Sequence, residues 1–428
     1  MPMHPAYRLV ILSTISKKTK VNYSDCLQWL FTQLPMYQRQ GAAAYKANLN
    51  NTWDLMMLLK NPHLGFKSIH IAGTNGKGST AHMLAAVFQQ AGYKTGLYTS
   101  PHLVDFRERI KINGLPIPEQ SVLDFVQKHK SDFSKMELSF FEMTVGMAFD
   151  YFAEQQIDIA IVETGLGGRL DSTNVLSPEL SIITNISLDH TQFLGNTLEQ
   201  IAMEKAGIIK ENTPVLIGEL QEEIFDVFKE TAAKNNSSLF LAGEKLAAKL
   251  GEVNSDLKGS YQRKNLQTTL GAIHLLEKSF PDLKANLHSA LSQTAKLTGL
   301  RGRWETLSES PLTIADTAHN LAGITEVVDQ LKKYSYRQLH IVWGMVADKN
   351  TKEILRLLPK SAIYYFCAPS LERAKNAVEL QREGVQYGLS GKAYDSVLQA
   401  FEMAQNQTQA DDLIFIGGST FVVAEILS

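Results

Sequence analysis

Short runs rich in β-branched and apolar residues recur along the chain, and amphipathic stretches of helical length separate them. The runs cover residues 68–72, 95–99, 158–163, 180–185, 214–218 and 239–242, and later 312–316, 340–344, 363–367 and 413–417. Several are apolar at nearly every position, as in Ile159-Ala160-Ile161-Val162 and Leu413-Ile414-Phe415-Ile416. A strand with one wet face alternates apolar and polar residues. A run apolar throughout predicts a strand buried on both faces of a parallel sheet. Repeated strand–helix alternation predicts an α/β fold, a mostly parallel sheet flanked by helices. The alternation lapses between Leu246 and about Leu297, where helix and loop are predicted, and strands resume at Leu312. A boundary is expected near residues 298–303, where Gly299 and Gly302 suit a hinge. The chain then divides into a larger P-loop-type domain, 1–298, and a smaller Rossmann-like α/β domain, 299–428.

Length agrees with this division, since 428 residues exceed what one core usually supports. The hydrophobic fraction is 44% and the charged fraction 20%, which excludes a disordered chain. Lys plus Arg total 42 against 44 for Asp plus Glu, a net charge of −2, so no global basic field is available for nucleic acid. Any polyanion must be held by local groups. The two cysteines, Cys26 and Cys367, lie far apart and exclude a disulfide framework and a cysteine zinc site, consistent with a cytoplasmic protein. No apolar stretch reaches the ~20 residues of a membrane span. Residues 7–15 are apolar but lack a small-residue cleavage pattern before Lys17-Lys18. They read as a strand, a helix start or a ragged extension rather than a signal peptide.

The first strong run leads into Gly73-Thr74-Asn75-Gly76-Lys77-Gly78-Ser79, and a helix is predicted over 80–90. Strand, glycine-rich turn, lysine and helix together make a phosphate cradle. Glycines let amides approach the phosphates, the helix N-terminus favours an anion, and Lys77 adds a positive charge. The standard P-loop has four residues between its glycines. Here two separate Gly73 from Gly76, and Gly78 stands where a hydroxyl metal ligand is usual. A Mg²⁺ at this site therefore needs a ligand from elsewhere in the chain.

Ligands of open α/β sheets gather at the carboxyl ends of strands. Three further segments lie at predicted strand ends: Thr99-Ser100-Pro101-His102, Glu163-Thr164-Gly165-Leu166-Gly167-Gly168-Arg169-Leu170-Asp171 and Asn185-Ile186-Ser187-Leu188-Asp189-His190. Mg²⁺ takes one or two carboxylates with phosphates and waters. Glu163 is the first choice of ligand, Ser100 offers a neutral oxygen, and His190 is less typical for this ion. The run 165–168 holds three glycines and suits a loop pressed against a ligand. Lys205 falls on a predicted helix, where a lone lysine is by default a solvated residue.

These segments resemble those of the folylpolyglutamate synthase/dihydrofolate synthase family of Mur-type ATP-dependent amide ligases. The likeness extends to Arg107-Glu108-Arg109-Ile110, Phe140-Phe141-Glu142-Met143-Thr144, Ser172-Thr173-Asn174 and Glu204-Lys205-Ala206-Gly207. It continues through Gly302-Arg303, Asp316-Thr317-Ala318-His319-Asn320 and Gly417-Gly418-Ser419, in family order from about residue 36 to the C-terminus. The resemblance implies that the 73–79 loop and Lys77 hold the phosphates of ATP. It implies one Mg²⁺ on Ser100 and Glu163, a second on His190, and carbamylation of Lys205. Asn265, Arg303, Asp316 and His319 would reach the nucleotide, and Phe141 and Asp171 would hold a pterin. Two positions depart from the pattern: Tyr261 stands where histidine is usual, and Arg301 where proline is usual.

The activity so implied joins L-glutamate to dihydropteroate, to reduced folates, or to both, through an acyl phosphate made with ATP. A monomer acting on small molecules is expected, with no nucleic-acid or membrane partner. Two alternatives differ in substrate or class. One is a cell-wall Mur ligase acting on a UDP-sugar peptide. Its separate N-terminal domain would need more than the roughly 70 residues that precede the loop. The other is a nucleotide-binding regulator without catalysis, against which the full set of polar site residues argues.

Overall fold

The computed structural model describes residues 22–34, 48–251, 253–347 and 351–428, so the 7–15 run lies outside the described residues. The strands are β1 (Lys67–Ala72), β2 (Thr95–Tyr98), β3 (Ile110–Ile112), β4 (Leu115–Pro116), β5 (Ile159–Glu163), β6 (Leu180–Ile183), β7 (Val215–Ile217) and β8 (Leu239–Leu241). They form one eight-stranded sheet in the order β4-β3-β2-β5-β1-β6-β7-β8. Pairing is parallel from β2 to β8 and antiparallel at β3 and β4. A second sheet holds β9 (Glu305–Glu309), β10 (Leu312–Ala315), β11 (Leu339–Trp343), β12 (Ile363–Phe366), β13 (Ser390–Ala393) and β14 (Leu413–Gly417). Its order is β13-β12-β11-β14-β10-β9, with β9 antiparallel. The protein is thus an α/β fold with two sheets.

Each of the ten apolar runs is a strand. β5, β11 and β14 are buried at every position, as strands covered on both faces must be. The four strands not expected are β3, β4, β9 and β13. They are short, lie at or next to sheet edges, and carry charge, glycine or proline, such as Lys111 in β3, Pro116 in β4 and Gly391 in β13. Edge strands are commonly blunted with such residues, which removes the apolar signature.

Register places the strand ends together. Ile71 pairs with Glu163 across β1 and β5, Ala72 with Ile183 across β1 and β6, and Tyr98 with Val162 across β2 and β5. The loops leaving β1, β2, β5 and β6 therefore open on one edge. In the second sheet Ala315 pairs with Ile416, which brings Asp316 out beside Gly417. The helix after β1, Lys77–Gln90, is buried along ten consecutive residues, Ser79 to Phe88. It packs between the first sheet and the Gln262–Leu276 helix, with Phe88 edge-on to Phe280 at 5.0 Å. A helix buried all round is a rigid mount for the loop at its N-terminus. No helix among the described residues is long and apolar enough to cross a membrane.

Candidate active site

The phosphate loop is pinned from below by the segment that follows β6. The Thr74 amide donates to the Asn185 carbonyl (2.8 Å), and the Asn75 amide to Asn185 Oδ1 (3.0 Å). Thr184 Oγ1 donates to the Asn75 carbonyl at 2.6 Å. Gly76 caps the helix with φ +84°, and a Cβ there would lie 2.2 Å from Asn265 Oδ1. A side chain at Gly76 would displace Asn265, so this glycine is what lets Asn265 rest on the loop. Gln262 holds Asn265 in place, accepting from Asn265 Nδ2 (2.8 Å) and donating to Ser79 Oγ (3.1 Å). The first-turn amides, Lys77 to Ser79, have no acceptor within the helix and are free for an anion.

Lys77 folds back on its loop, donating to the carbonyls of Gly73 (3.0 Å) and Thr74 (3.2 Å). Its Nζ lies 4.0 Å from Glu163 Oε1. Glu163 is buried, and its Oε2 accepts from the Ser100 amide at 3.3 Å. Burial raises its pKa, while Lys77 and Arg303 pull it back. Arg303 enters from the second sheet, donating to the carbonyl of Gly302 (3.2 Å) and to Thr317 Oγ1. A methyl at Gly78 would lie 3.6 Å from Glu163 Oε2 and 3.8 Å from Arg303 Nη2. Carboxylate and guanidinium thus converge over Gly78, where the standard P-loop has a hydroxyl.

Lys205 sits on the Leu198–Ala206 helix and is only 4% exposed. It reaches under the loop to donate to the Gly73 carbonyl at 2.8 Å. Burial, reinforced by Lys77, lowers its pKa to about 7. It is therefore no solvated surface lysine. His190 and His319 both face Asp189, with Nε2 at 3.9 Å and 3.6 Å from Asp189 Oδ2. His319 is fixed at Nδ1 by the Thr317 carbonyl (3.0 Å).

Asp316, also buried, accepts from the amides of Trp304 and Ala318 (both 2.8 Å) and from the hydroxyl of Tyr261 (2.5 Å). Tyr261 comes from the first sheet's side of the cleft, so the residue that departs from the family pattern ties the two halves together.

A cavity of about 360 Å³ opens between the sheets. It is lined by the 73–79 loop, Ser100, Glu163, His190, Lys205, Asn265, Arg303, Asp316 and His319. Two expected residues, Phe141 and Asp171, lie behind this lining. Asp171 Oδ2 accepts from the amides of Gly165 and Leu166 (both 2.8 Å). Its Oδ1 accepts from the amide (3.0 Å) and hydroxyl (2.5 Å) of Thr173. The Phe141 ring underlies the same turn: a Cβ on Gly165 would lie 2.4 Å from Phe141 Cζ. Sequence reasoning named no role for Asn185 or Asn320. Asn320 precedes an apolar helical run and so carries an N-cap signature, but its contact with Asn75, 245 residues away, has no local signal.

Among the described residues no three His, Cys, Asp or Glu side chains converge to hold a metal. Mg²⁺ does not need them, because phosphates and waters complete its shell. The Glu163 carboxylate suits such an ion. It is buried, offers about four lone-pair sites, and among the described residues takes its hydrogen bond from one amide.

Residues 71–281 match the Mur ligase middle domain, and 302–420 the Mur ligase glutamate ligase domain. The chain is 30% identical to the dihydrofolate synthase/folylpolyglutamate synthase of Bacillus subtilis, over 94% of this chain and 98% of that one. It is 32% identical to the Escherichia coli enzyme of the same name, over 83% and 85%. Among solved structures it resembles E. coli FolC in complex with DHPP and ADP, with a TM-score of 0.78, 27% identity, and coverage of 95% and 97%. It also resembles the bifunctional enzyme of Yersinia pestis complexed with AMPPNP and Mn ion, with a TM-score of 0.80, 26% identity, and coverage of 95% and 97%. Loop, strand ends and both halves of the cleft thus agree with full-length likeness, and the chain belongs to the dihydrofolate synthase/folylpolyglutamate synthase family of Mur-type ligases.

Proposed function

We propose that this protein is an ATP-dependent amide ligase. It adds L-glutamate to dihydropteroate and to the terminal γ-carboxyl of reduced folates, releasing ADP and phosphate. The observation that carries this reading is the convergence of Lys77, Glu163 and Arg303 over Gly78, at the mouth of an anion-binding helix. Family membership and the relatives solved with ADP, AMPPNP, Mn and L-glutamate support it.

The chain's part in the chemistry is positioning and charge neutralisation, which is what phosphoryl transfer needs. The first-turn amides and Lys77 hold the β- and γ-phosphates. Asn265, resting on Gly76, and Asp316 contribute to the nucleotide pocket. An oxygen of the substrate carboxylate attacks the γ-phosphorus, the bond to ADP breaks, and an acyl phosphate forms. Arg303 neutralises charge on the transferred group. The glutamate amine then attacks the acyl carbon, loses a proton, and the carbon–oxygen bond to phosphate breaks. His319, between the Thr317 carbonyl and Asp189, is placed to act at this stage. Closure of 299–428 over 1–298 excludes the water that would hydrolyse the acyl phosphate.

Ser100 and Glu163 would hold one Mg²⁺ and His190 a second, and when bound these ions neutralise phosphate charge. Lys205 is assigned as a carbamylated lysine. Carbon dioxide adds to a neutral amine, and a pKa near 7 keeps much of Lys205 neutral. Phe141 and Asp171 shape the pterin side through the Gly165–Leu166 turn that one underlies and the other holds. The protein acts in the cytoplasm as a monomer.

The test is ADP release with L-glutamate and either 7,8-dihydropteroate or tetrahydrofolate. Glutamate-dependent turnover with both supports the bifunctional reading. Turnover only with a UDP-sugar peptide, or none at all, overturns it.

A further inference from the structure

Asn320 uses the whole hydrogen-bonding capacity of its amide. Nδ2 donates to Asn75 Oδ1 (2.9 Å) and to Asp189 Oδ2 (3.0 Å). Oδ1 accepts from Asn75 Nδ2 (3.2 Å) and from the Gly323 amide (2.9 Å). Two donors and two lone pairs is all that a primary amide offers, and the residue is 3% exposed. Three of the four bonds cross from the second sheet's side to the first, and two of those end on the phosphate loop. The fourth caps the Leu321–Leu331 helix. That helix is held to the first half again at Glu326, 3.6 Å from Lys264, which also pairs with Glu219 at 2.9 Å.

We propose that the reciprocal Asn75–Asn320 amide pair, extended to Asp189, is the clasp that closes the cleft. Asn320 is then a positioning residue that seats His319, Asp316 and Arg303 over the loop. Asn75 lies between Gly73 and Gly76 and is itself pinned at its amide and carbonyl, so the clasp grips the segment that faces the phosphates. Cleft closure and loop geometry become one equilibrium. An amide is required at 320. A serine would cap the helix but could not span to both partners. A carboxylate would cap the helix equally well but would present an acceptor to Asp189, a like charge at 3.0 Å in a buried setting.

Asn320→Asp therefore separates capping from clasping. This inference rests on the ligase reading for its kinetic arm and is independent of it for its structural arm. Small-angle scattering is measured with Mg²⁺ and a non-hydrolysable ATP analogue, alongside melting temperature and steady-state glutamate ligation. The Asn320→Asp protein is expected to melt like wild type. It should scatter with a larger radius of gyration, lose about tenfold in kcat, and release more ADP per amide formed. The double variant Asn320→Asp/Asp189→Asn exchanges donor and acceptor at the 189 contact alone, leaves Asn75 Oδ1 without its donor, and is expected to regain part of the compact radius. An Asn320→Asp protein with wild-type radius and kcat overturns the clasp, and so does a double variant no more compact than the single. A wild type that ligates glutamate to no folate refutes the ligase reading, while the scattering comparison still decides the clasp.

Discussion

Two buried carboxylates leave the same strand, eight positions apart, and their surroundings set them to different work. Asp171 fills both oxygens with four donors from Gly165, Leu166 and Thr173. Glu163 takes one amide and a lysine at 4.0 Å. Burial raises the pKa of both, and partners lower it for both, but the partners differ in kind. Asp171 is held by hydrogen bonds that define a turn. Glu163 is balanced by the charges of two cations, Lys77 and Arg303, that a nucleotide would engage. A saturated carboxylate builds structure. An unsaturated one, facing a cavity, is available for a metal and pays for its burial only when the site is loaded.

The sharpest break between the two comes from amide substitution at each. Glu163→Gln is expected to lower kcat for ADP release by about 10³-fold and leave the melting temperature within ~2 °C of wild type. Normal metal-dependent turnover would remove Glu163 as a ligand. Lys205→Ala should cost about 10²-fold and recover part of the loss with added short carboxylates that replace a carbamate. Full activity without rescue contradicts the carbamate. A pH profile adds to this. The Lys205 pKa is depressed to about 7, so protonation grows as pH falls through that value. Activity is expected to drop on the acid side of about 7 and to be restored there by raised bicarbonate.

Asp171→Asn reverses the pattern. An NH₂ group replaces an acceptor facing two amides, which should cost about 2 kcal/mol and lower the melting temperature by roughly 5 °C. The KM for dihydropteroate should rise more than that for ATP. A protein of wild-type stability would show that the turn does not depend on Asp171. The smallest effect is expected at Tyr261→Phe. It removes one hydrogen bond to Asp316 and should raise the KM for ATP by about fivefold. An unchanged KM would free the nucleotide pocket from this contact.

Much of this was legible in the residues. β5 and β14 announced themselves because strands covered on both faces are apolar nearly throughout, and the strand–helix alternation then marked β1, β2 and β6. Their ends then located Gly73, Ser100, Glu163 and His190 without side-chain coordinates, since parallel strands carry their loops to one edge. β3 escaped notice because Lys111 sits in its middle, its ammonium donating to the carbonyls of Thr298 (2.8 Å) and Gly299 (3.4 Å). Those bonds are long-range and leave no periodicity. The burial of Lys205 was equally hidden, because a lysine on a helix reads as solvated until the loop above it is placed. The contrast between Asp171 and Glu163 depends on counting donors, and the Asn75–Asn320 contact on how two sheets meet.

The central claim is that ATP activates the substrate carboxylate as an acyl phosphate in the cleft over Gly78. Dihydropteroate labelled with ¹⁸O in its carboxylate, turned over with ATP and L-glutamate, tests it most directly by mass spectrometry of the released phosphate. Transfer of one labelled oxygen per phosphate is the predicted result. Phosphate free of label, with amide formed, would contradict it.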